Sequence, residues 1–165
     1  MSRLCKRKRC GWILLLLFLS PVEQLTAQEA FPWRVGAAMA EMSADDDMII
    51  GGGIGPATVV GQEGKLQATA TVIQGDTKLC LVAVDVLMMH DDHMDQATQA
   101  IQQATGIPFD QILINASHTH HAPSTVTVHG YQRDEEFCKR TVDAIVAAAC
   151  EADRKAAKAA PSRGM

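Results

Sequence analysis

Three histidines lie within four positions of one short segment of the chain, NASHTHHAPST. His118, His120 and His121 make up half of the six histidines in the sequence. In an extended segment, side chains two positions apart point the same way, about 6.6 Å apart along the strand. His118 and His120 are therefore predicted to face one side together, while His121 faces away.

Neutral imidazole is a common ligand of zinc, with Zn–N distances of about 2.0–2.1 Å. The pair His118 and His120 could converge on one metal ion, although it supplies at most two ligands. A catalytic zinc takes about three protein ligands and keeps one position open for water or substrate. The alternative interpretation is a polar loop whose imidazoles hydrogen-bond to backbone groups.

Other polar residues are weaker candidates for chemistry. His90 and His93 are three positions apart near a predicted helix start and could share one helix face. The pattern MHDDH is nevertheless more typical of a solvated start of a helix, and His129 is interpreted as a loop residue. Asp85 ends a predicted strand, where it either orients a ligating histidine through the second ring nitrogen or caps the following turn.

The segments before the histidines have the periodicity of strands. KLQATATVIQ alternates apolar and polar residues, which is typical of a strand with one wet face. LCLVAVDV, at 79–86, is almost continuously apolar, as a strand buried on both faces would be. GDTK, at 75–78, predicts the turn of a hairpin between them. DQILINAS predicts a short strand over 112–116 that ends just before the histidines.

Two helices are predicted, one on each side of that last strand. DDHMDQATQAIQQATG begins with two acids and ends at a glycine, and its apolar stripe consists of Met94, Ala97, Ile101 and Ala104. DEEFCKRTVDAIVAAACEADRKAAKA has acids in its first turn and bases in its last, and its buried stripe consists of Phe137, Val142, Ile145, Val146 and Ala149. This order of elements predicts an α/β fold with a mixed sheet, in which ligands favour the carboxyl ends of strands.

Glycines and cysteines are interpreted as structural. IIGGGIGPATVVG is not a dinucleotide-binding fingerprint, because no convincing strand precedes it and no helix follows, so it predicts a loop. Cys80, Cys138 and Cys150 are too few and too widely spaced for a disulfide framework. We expect all three to be small buried apolar residues.

The first 28 residues predict a secretory signal peptide, and therefore a secreted or periplasmic protein. A basic segment, RLCKRKRC, precedes a short apolar run that is too short to span a bilayer, and the segment ends at LTAQEA. An uncleaved N-terminal anchor is the alternative. Cleavage would leave 10 basic and 18 acidic residues, a net charge of −8. Such an acidic chain argues against a nucleic-acid partner.

The segment SHTHHAP resembles the Thr-His-Thr-His-Ser-Gly-Pro signature of neutral/alkaline (non-lysosomal) ceramidases. Three other segments agree in order: WRVGAAMAEMS resembles the opening strand of that family, and GKLQATATVIQ and LCLVAVDV resemble two strands that follow it. The resemblance covers about residues 33–158 and is strongest at the histidines. His121 and Ala122 stand where the family has Ser-Gly, and a bulkier ionisable side chain there could narrow the site or add a ligand.

This resemblance implies a zinc-dependent amidohydrolase that cleaves the N-acyl amide of ceramide, or of a related lipid amide, with one zinc ion and a serine nucleophile. It implies that His118 is a metal ligand and that His120 is a catalytic residue. The family's other ligands, its serine and its C-terminal domain lie further along the chain than this motif. We therefore expect residues 29–165 to be a partial N-terminal domain, with the remaining zinc ligands outside the chain and no activity on its own.

The partners implied are a lipid amide and, because ceramide is a membrane lipid, a membrane surface. Two alternatives stay open from the sequence. One is a non-catalytic secreted module that binds metal through its histidines. The other is a different metallohydrolase, such as an esterase, built on the same site.

Overall fold

A four-stranded mixed sheet and two helices make up the computed structural model, which describes residues 33–160. The strands lie in the sheet in chain order: β1 (Arg34–Met42), β2 (Leu66–Gln74), β3 (Lys78–Val84) and β4 (Ile112–Ala116). The first three strands pair antiparallel, and β3 pairs parallel with β4. Helix α1 (Asp91–Thr105) connects β3 to β4, and α2 (Glu135–Lys158) follows β4. The predicted α/β class with a mixed sheet is confirmed.

Residues 1–28, the predicted signal peptide, lie outside the described residues. Between residues 33 and 160, no helix has the length and apolar character required to cross a membrane.

The hairpin of β2 and β3 forms as the alternation of apolar residues predicts. The inward positions of β2 are Ala68, Ala70 and Val72, and all three are buried. The prediction that β3 is buried on both faces is wrong, because its residues alternate: Leu79 and Leu81 are exposed, whereas Cys80, Val82 and Val84 are buried. Among the described residues, the helix that packs on this part of the sheet covers one face alone, which explains the difference.

Helix α1 buries a slightly different stripe from the predicted one. Ala97 and Ile101 are buried and Met94 is partly buried, but Ala104 is exposed and Thr98 is buried in its place. The Thr98 hydroxyl donates to the Met94 carbonyl at 2.8 Å, so its polar atom has a partner inside the helix. A threonine can therefore occupy a buried position that the apolar pattern does not assign to it.

Helix α2 covers the inner face of the sheet. Its N-cap, Asp134, accepts a hydrogen bond from the Phe137 N–H at 2.8 Å. The predicted stripe is buried apart from Val146, which is partly buried, and it packs on β1 and β2. Cys138 on this helix is buried, as predicted, whereas Cys150 is only partly buried.

The cysteine on the sheet behaves as a small apolar residue. Cys80, on β3, is buried, and this burial raises the pKa of its thiol to about 11. Its side chain is therefore a neutral thiol at physiological pH.

Strand β1 and helix α2 approach each other closely at Gly36. A Cβ atom at this position would lie 2.1 Å from the Ala152 carbonyl oxygen and 2.3 Å from the Ala156 nitrogen. Both atoms belong to the helix backbone and cannot rotate away. The contact therefore requires glycine on the strand and small residues on the helix.

We expect Gly36→Ala to lower the free energy of unfolding by about 3 kcal/mol, because the added methyl group forces the helix away from the sheet. Urea unfolding followed by circular dichroism measures the change. Gly64→Ala is the control, since a Cβ at Gly64 meets no atom within 4 Å. Its effect should stay within about 0.5 kcal/mol. Equal losses in the two variants would contradict the close approach.

Candidate functional site

The parallel strands β3 and β4 bring the histidine segment to the carboxyl-terminal edge of the sheet. Val84 lies opposite Ala116 in the register, and the Ser117 N–H continues the pairing with a hydrogen bond to the Val84 carbonyl at 2.9 Å. The chain after β3 and the chain after β4 therefore leave the sheet side by side. This is the edge at which ligands bind in open α/β sheets.

His118 is oriented by a backbone carbonyl from the segment that follows β3. Its Nδ1 lies 2.9 Å from the Leu87 carbonyl oxygen. A carbonyl can only accept, so Nδ1 carries the hydrogen and a neutral ring keeps its lone pair on Nε2. Metal-binding histidines are commonly oriented in this way. His118 is exposed, so a ligand can reach this ring.

The rings of His118 and His120 lie together, with centroids 5.3 Å apart and planes at 73°. Two imidazoles bound to one tetrahedral zinc, each at about 2.0–2.1 Å, have centroids about 5 Å apart, so the pair fits one ion. The two rings do not meet through the predicted extended segment. The backbone of His118 is instead left-handed, with φ of 63°. His121 lies apart from the pair and lines a cavity of about 510 Å³ with Asp45 and Lys65.

The pair fits a metal ion only as part of a larger ligand set. In the described part of the chain, no third histidine, cysteine or carboxylate joins His118 and His120 closely enough to complete one. This agrees with the two ligands that the sequence offers at most. The metal role of His118 and the catalytic role of His120 stay predictions.

Asp85 does not orient a histidine. One of its carboxylate oxygens accepts from the Gln67 N–H at 3.1 Å, and the other accepts from the Ser117 hydroxyl at 3.1 Å. The first of the two alternatives for Asp85 is therefore wrong. The carboxylate instead links the end of β3 to the chain on both sides of it. The Leu87 carbonyl is the group that orients His118.

The glycine-rich segment forms a loop, as predicted, and it packs against His120. A Cβ atom at Gly52 would lie 2.4 Å from His120 Nδ1, so only glycine leaves room for the ring. The loop is held in place by the buried Tyr131, whose hydroxyl accepts from the Gly52 N–H at 2.8 Å. The Gly51 N–H also donates to the Ala122 carbonyl at 2.9 Å. The sequence indicated a loop here but not its neighbour.

The remaining three histidines agree with the predictions only in part. His90 and His129 are exposed, and His129 lies in a loop, as expected. His93 is not part of a solvated helix start, since its side chain is only 13% exposed. It contacts Glu135 and lies beside Cys138, both from the first turns of α2. This group was missed because α1 and α2 are adjacent only in the folded chain.

Charged residues surround His93. The Arg133 guanidinium lies against Asp92 and Glu135, and its hydrogen bond lowers the pKa of the Asp92 carboxyl below its ordinary value. Burial raises the pKa of the Cys138 thiol to about 11. Cys138 is therefore a neutral thiol at physiological pH.

Solved ceramidase structures share the fold of this chain. The crystal structure of neutral ceramidase from Pseudomonas aeruginosa matches it with a TM-score of 0.64 and 19% identity, over 76% of this chain and 22% of that one. A ceramidase complexed with C2 matches with a TM-score of 0.64 and 20% identity, over the same shares. No family model and no curated protein sequence matches the chain. The chain thus has a ceramidase-like fold and spans about a fifth of the length of these relatives.

We expect Gly52→Ala to displace the His120 ring, because the new methyl group would overlap Nδ1. Gly55→Ala is a matched control: φ is 92° at Gly52 and 101° at Gly55, but a Cβ at Gly55 meets no atom within 4 Å. Both variants should lose about 1–2 kcal/mol of stability through their positive φ. Only Gly52→Ala should shift the His120 imidazole signals in ¹H–¹⁵N NMR spectra, and unchanged signals would contradict the contact.

Proposed function

We propose that the chain is part of a secreted, zinc-dependent amidohydrolase of neutral ceramidase type, which hydrolyses the N-acyl amide of ceramide or of a related lipid amide. The observation that carries this proposal is the His118–His120 pair at the carboxyl-terminal edge of the sheet, in a fold shared with neutral ceramidases. The signature-like segment SHTHHAP supports it. The basic and apolar N-terminal segment supports export.

In this proposal His118 holds the metal through Nε2. The Leu87 carbonyl holds the ring by its other nitrogen, which fixes the tautomer and raises the basicity of the ligating nitrogen. A bound zinc ion supplies Lewis-acid polarisation of the amide carbonyl. The exposed side of the ring leaves room for the further ligands that the proposal requires from outside the described residues.

The spacing of the two rings would let both bind one ion, but we assign His120 to a position beside the metal, because the resemblance gives it a catalytic role. Its ring is held between His118 and the backbone of Gly52, so it has little freedom to turn away. An imidazole N–H in this position can donate a hydrogen bond to the oxyanion that develops when the amide is attacked. Pre-orientation by the glycine loop lowers the cost of placing that donor.

A lipid substrate is supported by exposed aliphatic side chains on the glycine-rich segment. Ile54 is 98% exposed and Val60 is 88% exposed, and both lie on the glycine-rich segment that packs against His120. Exposed aliphatic side chains next to a site can cover an acyl chain or contact a lipid surface. One solved relative is complexed with C2. Because the chain spans 22% of these relatives, the activity is proposed for the larger enzyme of which this chain would be a part.

Hydrolysis of a short-chain ceramide in detergent micelles, measured on the natural protein at its full length, tests the proposal. We expect His118→Ala to remove both bound zinc and fatty-acid release. His120→Ala should keep zinc and reduce kcat about 10²–10³-fold, as the loss of one oxyanion donor does. His129→Ala, in an exposed loop, is the control and should keep both properties. Full activity in His118→Ala would refute the assigned role.

A second function is a secreted metal-binding module without catalysis. The observation that favours it is that His118 and His120 are joined by no third ligand among residues 33–160. Two results together would favour this module: zinc binding that depends on His118, and no hydrolysis of amide or ester lipids by the full-length protein. Hydrolysis of an ester analogue without hydrolysis of the amide would instead indicate an esterase.

A further inference from the structure

A second cluster of metal-binding side chains lies where the N-terminal ends of the two helices meet. His93 of α1 and Glu135 and Cys138 of α2 offer ligand atoms that all lie within 4.8 Å of one another. It is the one group of three or more such side chains found in residues 33–160. It shares no residue with the His118–His120 pair.

The spacing of these atoms is close to that of a coordination sphere. His93 Nε2 lies 3.6 Å from Glu135 Oε2. In a tetrahedral zinc site with bonds of about 2.0–2.3 Å, ligand atoms are about 3.3–3.8 Å apart. No separation in the cluster exceeds 4.8 Å, so none needs to shorten by more than about 1–1.5 Å, which side-chain rotation can provide.

Arg133 holds one side of the Glu135 carboxylate and leaves the other side free. Its Nε donates to Glu135 Oε1 at 2.7 Å, while Oε2 is the oxygen nearest His93. The same guanidinium donates to Asp92 at 3.1 Å. The charge of Arg133 is thus offset by two carboxylates, and the free oxygen of Glu135 remains directed at the imidazole.

The His93 ring has a buried nitrogen without a hydrogen bond, which a metal on the other ring nitrogen would keep protonated and directed at Asp92. Its Nδ1 is buried without a hydrogen bond, and the nearest carboxylate oxygen, Asp92 Oδ1, lies 3.4 Å away. A buried polar nitrogen without a partner costs about 1–3 kcal/mol. A metal on Nε2 would place a proton on Nδ1, facing Asp92. Carboxylate, histidine and metal commonly occur in this order.

Cys138 completes a donor set that selects the ion. Its thiol is buried and has one weak partner, the Thr125 carbonyl, at a distance of 3.8 Å from the sulfur. One sulfur, one nitrogen and one carboxylate oxygen suit zinc, whereas calcium and magnesium prefer oxygen alone. The Glu135 side chain is 66% exposed, so an ion can enter from solvent on that side.

We propose that His93, Glu135 and Cys138 form a zinc site that joins the N-terminal ends of α1 and α2, with Asp92 orienting His93 and one coordination position left for water. On binding, the Cys138 thiol releases its proton to solvent and the sulfur bonds the metal. The site does not depend on the proposed hydrolase function. Its role is to stabilise the contact between the two helices.

Cobalt titration of the full chain, without a histidine tag and with a phosphine reductant, tests the site. Wild-type protein should show the near-ultraviolet thiolate-to-cobalt absorption, and zinc should displace it. Cys138→Ser should abolish the band. Cys150→Ser, on the same helix, is the matched control and should keep it. His118→Ala should also keep it, which separates this site from the proposed hydrolase site.

Because Cys138 is buried, an exposed ligand provides a second variant. Glu135→Gln should weaken cobalt binding at least about 10-fold, since even partners outside the coordination sphere cost 10–100-fold. Glu136→Gln, in the same helical turn, should leave the affinity unchanged, and circular dichroism checks both folds. The proposal is overturned if saturating cobalt gives no thiolate band in wild-type protein. It is also overturned if Glu135→Gln binds cobalt as tightly as wild type.

Discussion

The parallel pairing of β3 with β4 is the constraint on which the candidate site depends. Antiparallel neighbours would send the segments after the two strands to opposite edges of the sheet, whereas parallel neighbours end at the same edge. Val84 pairs with Ala116, so Leu87 and His118 are only a few residues beyond two adjacent strand ends. The hydrogen bond from His118 to the Leu87 carbonyl follows from that register. Helix α1 makes the pairing possible, because two parallel strands need a crossover connection that returns the chain to the starting edge of the sheet.

The second requirement of the site is a close approach of backbone to side chain. Gly52 lies against His120, and Gly36 lies against the backbone of α2. In both places a Cβ atom would overlap its neighbour. Glycine is therefore required because it has no side chain, and not because it is flexible. The first contact orients an imidazole, and the second sets the distance between sheet and helix. Tyr131 connects the glycine loop to the chain beyond the histidines, so the loop and the histidine segment are held together.

The two histidine clusters differ in ways that bear on their chemistry. His118 and His120 are exposed, belong to one segment and offer two nitrogen ligands. His93, Glu135 and Cys138 come from two helices, range from the buried Cys138 to the exposed Glu135, and offer three different donor atoms. The first arrangement leaves space for a substrate and for further ligands, as a reactive site requires. The second would offer three ligands to one ion at the contact between two helices, with the Glu135 side open to solvent.

Local pattern was sufficient for three of the four strands and for both helices, whereas β1 was expected only from the family resemblance. Alternation in β2, the apolar stripe of α1 and the acids in the first turn of α2 are properties of neighbouring residues, so the sequence by itself determined the α/β class and put His118 and His120 after a strand. Only the tertiary structure decided that β3 is exposed on one face, that a carbonyl rather than Asp85 orients His118, and that His93 meets Glu135 and Cys138. Backbone carbonyls look alike at every position of a sequence, and periodicity shows that a face is buried without showing what covers it. Contacts between residues distant along the chain therefore depend on how the elements pack.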